Sequence, residues 1–189
     1  MPTNESIIED AFDRHGQVFK KSYSLVAEIT KGIEILIDLI KSDQTLFACG
    51  NGGSAADAQH LVGEWLCRYK DDRRPLRAVA LTCDASTLTA IGNDYGFEQV
   101  FSRQVRALGG EKDVLVAIST SGTSKNVMNA ISEARKKRMK VIVLTGPGGS
   151  DLEADVVIAI PNKEIARIQE IHELIIHAWC EAVDLAIKE

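Results

Sequence analysis

Two groups of imidazole, carboxylate and amide side chains have the types and spacing that metal binding or proton transfer requires. His60 and Glu64 stand four positions apart, which places both side chains on one face of a helix. Such a pair can hold a divalent metal ion, and Gln169 and His177 near the other end of the chain could complete the ligand set. A His–Glu pair at this spacing is also common on exposed helix surfaces, so the spacing by itself leaves both interpretations open.

Two further segments place glycine or hydroxyl groups directly before a predicted helix, a pattern typical of anion binding. Residues 50–54 read Gly-Asn-Gly-Gly-Ser, and residues 119–124 contain five hydroxyl side chains in six positions. Backbone amides at a helix N-terminus attract phosphate, and hydroxyl groups add donors without a lysine. An N-capping loop needs only one hydroxyl, so the second segment predicts a phosphate site. It is not a P-loop, because the Gly-Lys-Ser/Thr core is absent from it.

Two other polar patterns are less decisive. The glycine segment fits the loose dinucleotide fingerprint, with Gly50, Gly52 and Ala55 at the required positions. That fingerprint also requires an acidic residue at the end of the next strand, about 20 residues on. The next strand is predicted to end later, at residues 81–84, so a dinucleotide is not favoured. The segment 91–97, which contains Asn93-Asp94, could form a plain turn or bind the hydroxyl groups of a ligand.

Length and composition exclude several classes of protein. The 189 residues, 45% hydrophobic and 26% charged, are typical of a single globular domain. A net charge of −5 and the lack of a dense basic cluster argue against direct binding of nucleic acid. No apolar run approaches the roughly 20 residues of a membrane helix, and the first residues lack the order of a signal peptide. Four cysteines without CxxC spacing are expected to be buried thiols, which favours a cytoplasmic protein: Cys49, Cys67, Cys83 and Cys180.

The elements that must position these groups alternate between strand and helix. Five short apolar runs are predicted strands, and they span residues 46–49, 78–81, 114–118, 141–144 and 156–160. Because the runs lack polar alternation, both faces of the sheet are expected to be covered. Alternating strands and helices predict an α/β fold, a three-layer α/β/α sandwich with a five-stranded parallel sheet and right-handed crossovers. Ligands of such sheets bind beyond the carboxyl ends of the strands, where both anion-binding segments are predicted to lie.

A helical arm is predicted to precede the sheet. We expect one domain over residues 1–189, with the arm at residues 1–42 and the α/β core at residues 43–189. Val26, Ile29 and Ile33 begin the clearer of two apolar stripes in the arm. The stripe could pack on the final helix, predicted from about Glu164 to Ile187, or on another subunit.

Four separated blocks of the sequence together resemble one known family. They are residues 49–60 with Glu64, residues 92–97, residues 118–122 and residues 166–172. In type and order they resemble the sugar isomerase (SIS) domain and, within it, the sedoheptulose 7-phosphate isomerase family. The resemblance covers nearly the whole chain and implies the flavodoxin-like SIS fold. It also implies a cytoplasmic homotetramer that converts sedoheptulose 7-phosphate to D-glycero-D-manno-heptose 7-phosphate in heptose biosynthesis, whether for lipopolysaccharide or another glycan.

The resemblance assigns roles to individual positions. It implies one zinc ion per subunit, held by His60, Glu64, Gln169 and His177. Glu64 is then the candidate base for the carbon-bound proton, and His177 the candidate for ring opening or proton transfer between oxygens. Substrate contacts are implied at Asn51, Gly52, Gly53, Glu64, Asn93, Asp94, Ser119, Thr120, Ser121, Ser124 and Gln169. Some members of the family carry Asp where this chain has Ala166. If that Asp assists catalysis in them, this protein must use another group or do without it.

A second class of function and the location of the site stay open at this point. SIS relatives also act as binding proteins, such as an adaptor of the bacterial replication initiator, or as sugar-phosphate sensors. Such modules do not need Glu64 and His177, so the presence of both favours an enzyme. Gln169 and His177 lie about 12 Å apart along one helix, whereas metal–ligand bonds are only about 2 Å long. We therefore expect the site at a subunit interface, with residues from more than one chain.

Overall fold

The sheet of the computed structural model, which describes residues 1–188, is built from the predicted apolar runs. Its strands are β1 (Leu46–Cys49), β2 (Ala78–Ala80), β3 (Val114–Ser119), β4 (Lys140–Thr145) and β5 (Val156–Ala159). All pairings are parallel, in the order β2-β1-β3-β4-β5. Each strand agrees with its predicted run to within one residue at either end, so the predicted parallel sheet is confirmed. Glu189, the last residue of the predicted domain, lies outside the described residues.

Helices connect the strands and precede the sheet. They are α1 (Asn4–Ser22), α2 (Val26–Lys41), α3 (Gly53–Leu66), α4 (Ala85–Tyr95), α5 (Ser102–Leu108), α6 (Lys125–Lys136) and α7 (Ile165–Ile187). Short polar side chains cap two of them: Thr3 accepts from the amide of Ser6 at the start of α1, and Asp84 from the amide of Thr87 at the start of α4.

The sheet separates two layers of helices. Leu46 and Ala48 of β1 face the layer that contains α2, α3 and α7, whereas Phe47 and Cys49 face the layer that contains α5 and α6. The central strands β1 and β3 are buried at every position. This burial explains the lack of polar alternation in their sequences and confirms the predicted three-layer sandwich.

The arm packs on the final helix of its own chain. Trp179 of α7 donates its indole N–H to the carbonyl oxygen of Ile29 at 3.1 Å. A Cβ on Gly32 would come within 2.9 Å of the Trp179 ring, so the absence of a side chain lets α2 approach α7 closely. The arm also leaves large apolar side chains exposed, among them Ile7, Ile8, Phe12, Tyr23 and Val26.

Two of the four cysteines are buried and two are exposed. Cys49 and Cys180 are buried, and burial raises the pKa of each thiol to about 12. Cys67 and Cys83 are exposed, so the expectation of four buried thiols is wrong for these two. Both lie just beyond the end of an element, Cys67 after α3 and Cys83 after β2, where side chains leave the packed layers.

Within residues 1–188, every helix is too short or too polar to span a membrane.

Candidate active site

The site lies at the carboxyl ends of the neighbouring strands β1 and β3. The chain continues to one face of the sheet after β1 and to the opposite face after β3. Residues 50–54 lead from β1 to α3 in one layer, and residues 119–124 lead from β3 to α6 in the other. Such a point leaves a crevice with two helix N-termini around it. Asn51 and Asn126 join its two sides through reciprocal side-chain hydrogen bonds of 2.9 and 2.8 Å.

The hydroxyl segment folds so that three serine side chains converge. Ser119 Oγ donates to Ser124 Oγ at 3.2 Å and lies 3.5 Å from Ser121 Oγ. Gly122 has a φ of +69°, and a Cβ there would come within 2.4 Å of the Gly149 backbone, so the turn requires glycine. Because α6 begins at Lys125, the hydroxyl groups lie beside the first amides of that helix. Hydroxyl and amide donors thus face one small region, which suits an anion.

The glycine segment lies against α7. A Cβ on Gly53 would come within 2.3 Å of Gln169 Nε2, so the Gln169 amide lies directly on the first turn of α3. The two helices that meet here also carry the predicted acid–base residues, His60 and Glu64 on α3 and His177 on α7.

His60, Glu173 and His177 form a compact cluster between α3 and α7. One ligand atom from each residue lies within 4.8 Å of the others. Glu173 Oε1 is 3.2 Å from His177 Nε2 and also contacts His60 Nδ1. On the opposite side of its ring, His60 Nε2 lies 3.2 Å from Glu64 Oε1. The two imidazoles of His60 and His177 and the carboxylate of Glu173 form a donor set typical of a divalent transition metal.

Two carboxylate oxygens at this cluster are buried and lack a hydrogen-bond partner among the described residues. They are Asp57 Oδ2 and Glu173 Oε1, the latter because its imidazole contacts are close without hydrogen-bond geometry. Burial raises the pKa of Asp57 to about 6; the charge of Glu173 adds to this shift and His60 opposes it. Buried carboxylate oxygens without hydrogen bonds are unfavourable, and a cation between α3 and α7 would offset that cost. The residues present therefore fit a metal ion.

Comparison with known proteins agrees with this architecture. The family model of the SIS domain matches residues 13–146. The chain belongs to the SIS domain family. It is 47% identical to phosphoheptose isomerase 1 of Campylobacter jejuni over 181 residues, which cover 95% of this chain and 97% of that protein. The structure of phosphoheptose isomerase from Neisseria gonorrhoeae superposes with a TM-score of 0.90 at 44% identity, covering 97% of this chain and 100% of that one. A phosphoheptose isomerase from Francisella tularensis superposes with a TM-score of 0.93 at 38% identity and the same coverage.

In this SIS chain, the packing of α3 beside α7 brings His60, Glu64 and His177 together within one subunit. Gln169 lies on the glycine segment, one helical turn before Glu173. Glu173 was missing from the residues that sequence reasoning selected. The sequence does contain a pattern that could have identified Glu173, because Glu173 and His177 have the same four-residue spacing as His60 and Glu64.

The remaining selected positions lie outside the cluster. Asn93 and Asp94 are exposed in the last turn of α4, where the Asn93 side-chain amide donates to Asp94 Oδ1 at 2.8 Å. The carbonyl oxygen of Thr120 accepts from the amide of Gly146 at 3.1 Å, which ties the hydroxyl segment to the loop after β4. Ala166 is exposed in the first turn of α7, two residues after Glu164.

Proposed function

We propose that this protein is a ketose–aldose isomerase that converts sedoheptulose 7-phosphate to D-glycero-D-manno-heptose 7-phosphate. The observation that carries the proposal is the pairing of an anion-binding segment at residues 119–124 with a carboxylate–imidazole cluster on α3 and α7. Phosphate binding and proton transfer are the two requirements of a phosphosugar isomerase. The similarity to phosphoheptose isomerases over nearly the whole chain supports the choice of substrate.

The substrate is held at both ends in this proposal. The hydroxyls of Ser119, Ser121 and Ser124, with Thr120 beside them, bind the phosphate together with the first amides of α6. Other selected polar groups then bind the sugar hydroxyls and the carbonyl end. These groups are the Asn51, Asn93, Asp94 and Gln169 side chains and the backbone of Gly52 and Gly53.

Two protons move in the reaction. Glu64 removes a proton from C1 of the open-chain ketose, the carbonyl at C2 becomes the enediolate oxygen, and Glu64 returns the proton to C2. His177 opens the sugar ring and transfers the remaining proton from the oxygen on C1 to the oxygen on C2, which leaves an aldehyde at C1. No oxidant or reductant is needed, because the substrate is oxidised at C1 and reduced at C2.

We propose one zinc ion per subunit as cofactor. His60, Glu64, Gln169 and His177 would be its ligands by family resemblance, and Glu173 Oε1 lies beside both His60 and His177. When bound, zinc supplies Lewis-acid stabilisation of the enediolate oxygen. Glu64 would then have to hold the ion and also keep an oxygen free to accept the proton.

The substitutions Glu64→Gln and His177→Gln test these roles. Each removes a proton acceptor with little change in volume, so we expect a folded protein and a loss of turnover of at least about 10²-fold. Formation of the aldose from sedoheptulose 7-phosphate measures turnover, and circular dichroism measures folding. Glu181→Gln, on the exposed side of α7, is the matched control and should keep wild-type turnover.

The same assay distinguishes the alternative function. A sugar-phosphate sensor or adaptor would bind the sugar phosphate without forming the aldose. Wild-type protein that binds sedoheptulose 7-phosphate in calorimetry and produces no aldose would contradict the proposal in favour of that alternative.

We further propose a cytoplasmic homotetramer, with one domain whose arm at residues 1–42 contributes to association. An open apolar groove between the arm and α7 supports this proposal, and it is lined by Phe19, Tyr23, Val26 and Leu174 among others. Apolar surface of this kind favours contact with another protein surface.

A further inference from the structure

Residues 67–77, which we call the α3–β2 connection, are anchored to α7 by a buried ion pair. Arg73 Nε donates to Asp184 Oδ1 at 2.7 Å, and each side chain is only 5% exposed. The backbone amide of Lys70 donates to the other oxygen of Asp184 at 3.0 Å. Burial alone would raise the pKa of Asp184, but the bonds from Arg73 and from backbone amides hold it below its ordinary value. The carboxylate therefore stays charged and fixes this part of the connection.

Arg73 also binds the end of α3. Its Nη2 donates to the carbonyl oxygen of Glu64 at 2.8 Å, and its Nη1 donates to that of Trp65 at 3.0 Å. The last carbonyl groups of a helix have no partner within the helix, so the guanidinium satisfies two of them. One side chain thus links the last turn of α3, which carries Glu64, to α7, which carries His177.

Tyr69 directly precedes Lys70 in this connection and packs on His177. The two rings are stacked, with centroids 5.4 Å apart and an interplanar angle of 30°. The ring of His60 meets the same imidazole edge-on, with centroids 5.0 Å apart. The imidazole of His177 therefore contacts two rings, and the same side chain lies against Glu173.

We propose that Tyr69 is a positioning residue, which fixes the His177 imidazole toward Glu173 and His60, and that the Arg73–Asp184 pair holds Tyr69 in place. This role rests on the proposed function, in which His177 transfers protons. Small displacements of a catalytic group reduce turnover strongly, because proton transfer requires close alignment of donor and acceptor. The stacking ring, and not the phenol hydroxyl, is the part of Tyr69 that acts.

Tyr69→Leu and Tyr69→Phe separate these two parts of the side chain. Loss of the ring in Tyr69→Leu should lower kcat about 10-fold to 10²-fold with little change in KM, whereas Tyr69→Phe should keep wild-type values. Asp71→Asn, which changes an exposed side chain of the same connection, is the matched control. If Tyr69→Leu does not fold, Tyr69→Met makes the same test. Wild-type kcat without the ring, or an equal loss in Tyr69→Phe, would overturn the proposal.

A double-mutant cycle shows whether Tyr69 acts through His177. In a His177→Gln background, Tyr69→Leu should cause no further loss of turnover, and a full additional loss would overturn the role. A crystal structure of Tyr69→Leu gives a readout that does not depend on the substrate. The His177 imidazole should be rotated away from Glu173, and an unchanged orientation would refute positioning. Failure of wild-type protein to convert sedoheptulose 7-phosphate would instead refute the proposed function and leave this structural test valid.

Discussion

Gly53 shows how a single missing side chain shapes the site. Its Cα lies so close to Gln169 that even a methyl group would overlap the amide of that side chain. The sequence marks Gly53 as part of an anion-binding segment, but the structure gives it a second role as the surface on which Gln169 lies. That role depends on the packing of α7 against α3, which local sequence patterns do not contain.

Gly53→Ala is therefore expected to displace Gln169 and lower isomerase activity by about 10-fold or more, since misplacing a substrate-contacting group reduces turnover. Gly63→Ala is the matched control on the same helix, because a Cβ there meets no atom within 4 Å. Replacing a helical glycine in open space should stabilise the protein by roughly 0.5–1 kcal/mol and leave activity unchanged. Steady-state kinetics and thermal denaturation of both variants test this contrast. Equal activity of the two variants would show that Gln169 tolerates the added methyl group.

His172 is a second residue whose effect on the protein can be measured, here on the pH dependence of stability. It is fully buried, with Nε2 3.3 Å from the carbonyl oxygen of Thr145, and burial lowers its pKa to about 4. The ordinary histidine pKa is about 6.5, so the unfolded chain takes up the proton more readily than the folded one. The contribution of His172 to stability is thus fully present above pH 6.5 and is lost as the pH falls toward 4.

The expected loss is about 3 kcal/mol, since one pKa unit corresponds to about 1.4 kcal/mol. Urea denaturation of the wild type and of His172→Gln at one protein concentration should show this difference. The wild type should lose stability more steeply than the variant between pH 6.5 and pH 4, because only the wild type has this proton linkage. Parallel curves for the two proteins would mean that His172 does not titrate as a buried group.

At the scale of elements, the junction of α3 with α6 across the end of the sheet is held by one pair of amides. Asn126 is 4% exposed and exchanges two hydrogen bonds with Asn51, and its Oδ1 also accepts from the amide of Val127. Because the pair joins the glycine segment to the hydroxyl segment, it sets the distance between the two ends of the proposed substrate site.

Asn126→Ala should therefore raise KM for the sugar phosphate several-fold, with a smaller effect on kcat. Loss of the two part-buried hydrogen bonds to Asn51 should also lower stability by about 1–3 kcal/mol. Asn129→Ala, three residues further along α6, removes a bond to the carbonyl oxygen of Glu98 and is the matched control, with KM unchanged. The prediction is wrong if the two variants have the same KM.

The strands and helices could be predicted from the sequence, whereas the contacts between their faces could be predicted only in part. The apolar runs at 114–118 and 141–144 predicted strands because a strand buried on both faces has no polar side chains to alternate. The spacing of His60 and Glu64 placed both on one helix face. Glu173 was not selected, because its position in the cluster depends on which face of α7 turns toward α3. The exposure of Cys67 and Cys83 likewise depends on where each element ends.

At the scale of the whole molecule, the arm and α7 present apolar surface that one chain does not cover. Phe12 of α1 is 73% exposed, and Tyr23, which follows α1, is 64% exposed. Within the chain, the same arm packs on Trp179 of α7 through α2. The arm therefore has a role inside the subunit in addition to the association that we propose.

Mixing two inactive variants tests whether one subunit or two subunits supply the residues of an active site. The sequence led us to expect residues from more than one chain in this site, but the structure places His60 beside Glu64 and its ring 5.0 Å from the ring of His177, all in one chain. A mixture of Glu64→Gln and His177→Gln should therefore remain inactive after subunit exchange, because each subunit would still lack one of the two groups. Mass spectrometry of differently labelled subunits verifies the exchange, and mixing either variant with wild type should give activity in proportion to the wild-type share. Recovery of activity in verified mixed oligomers would show that Glu64 and His177 act from different chains. The close packing of α3 and α7 within one subunit would then not be the arrangement that performs catalysis.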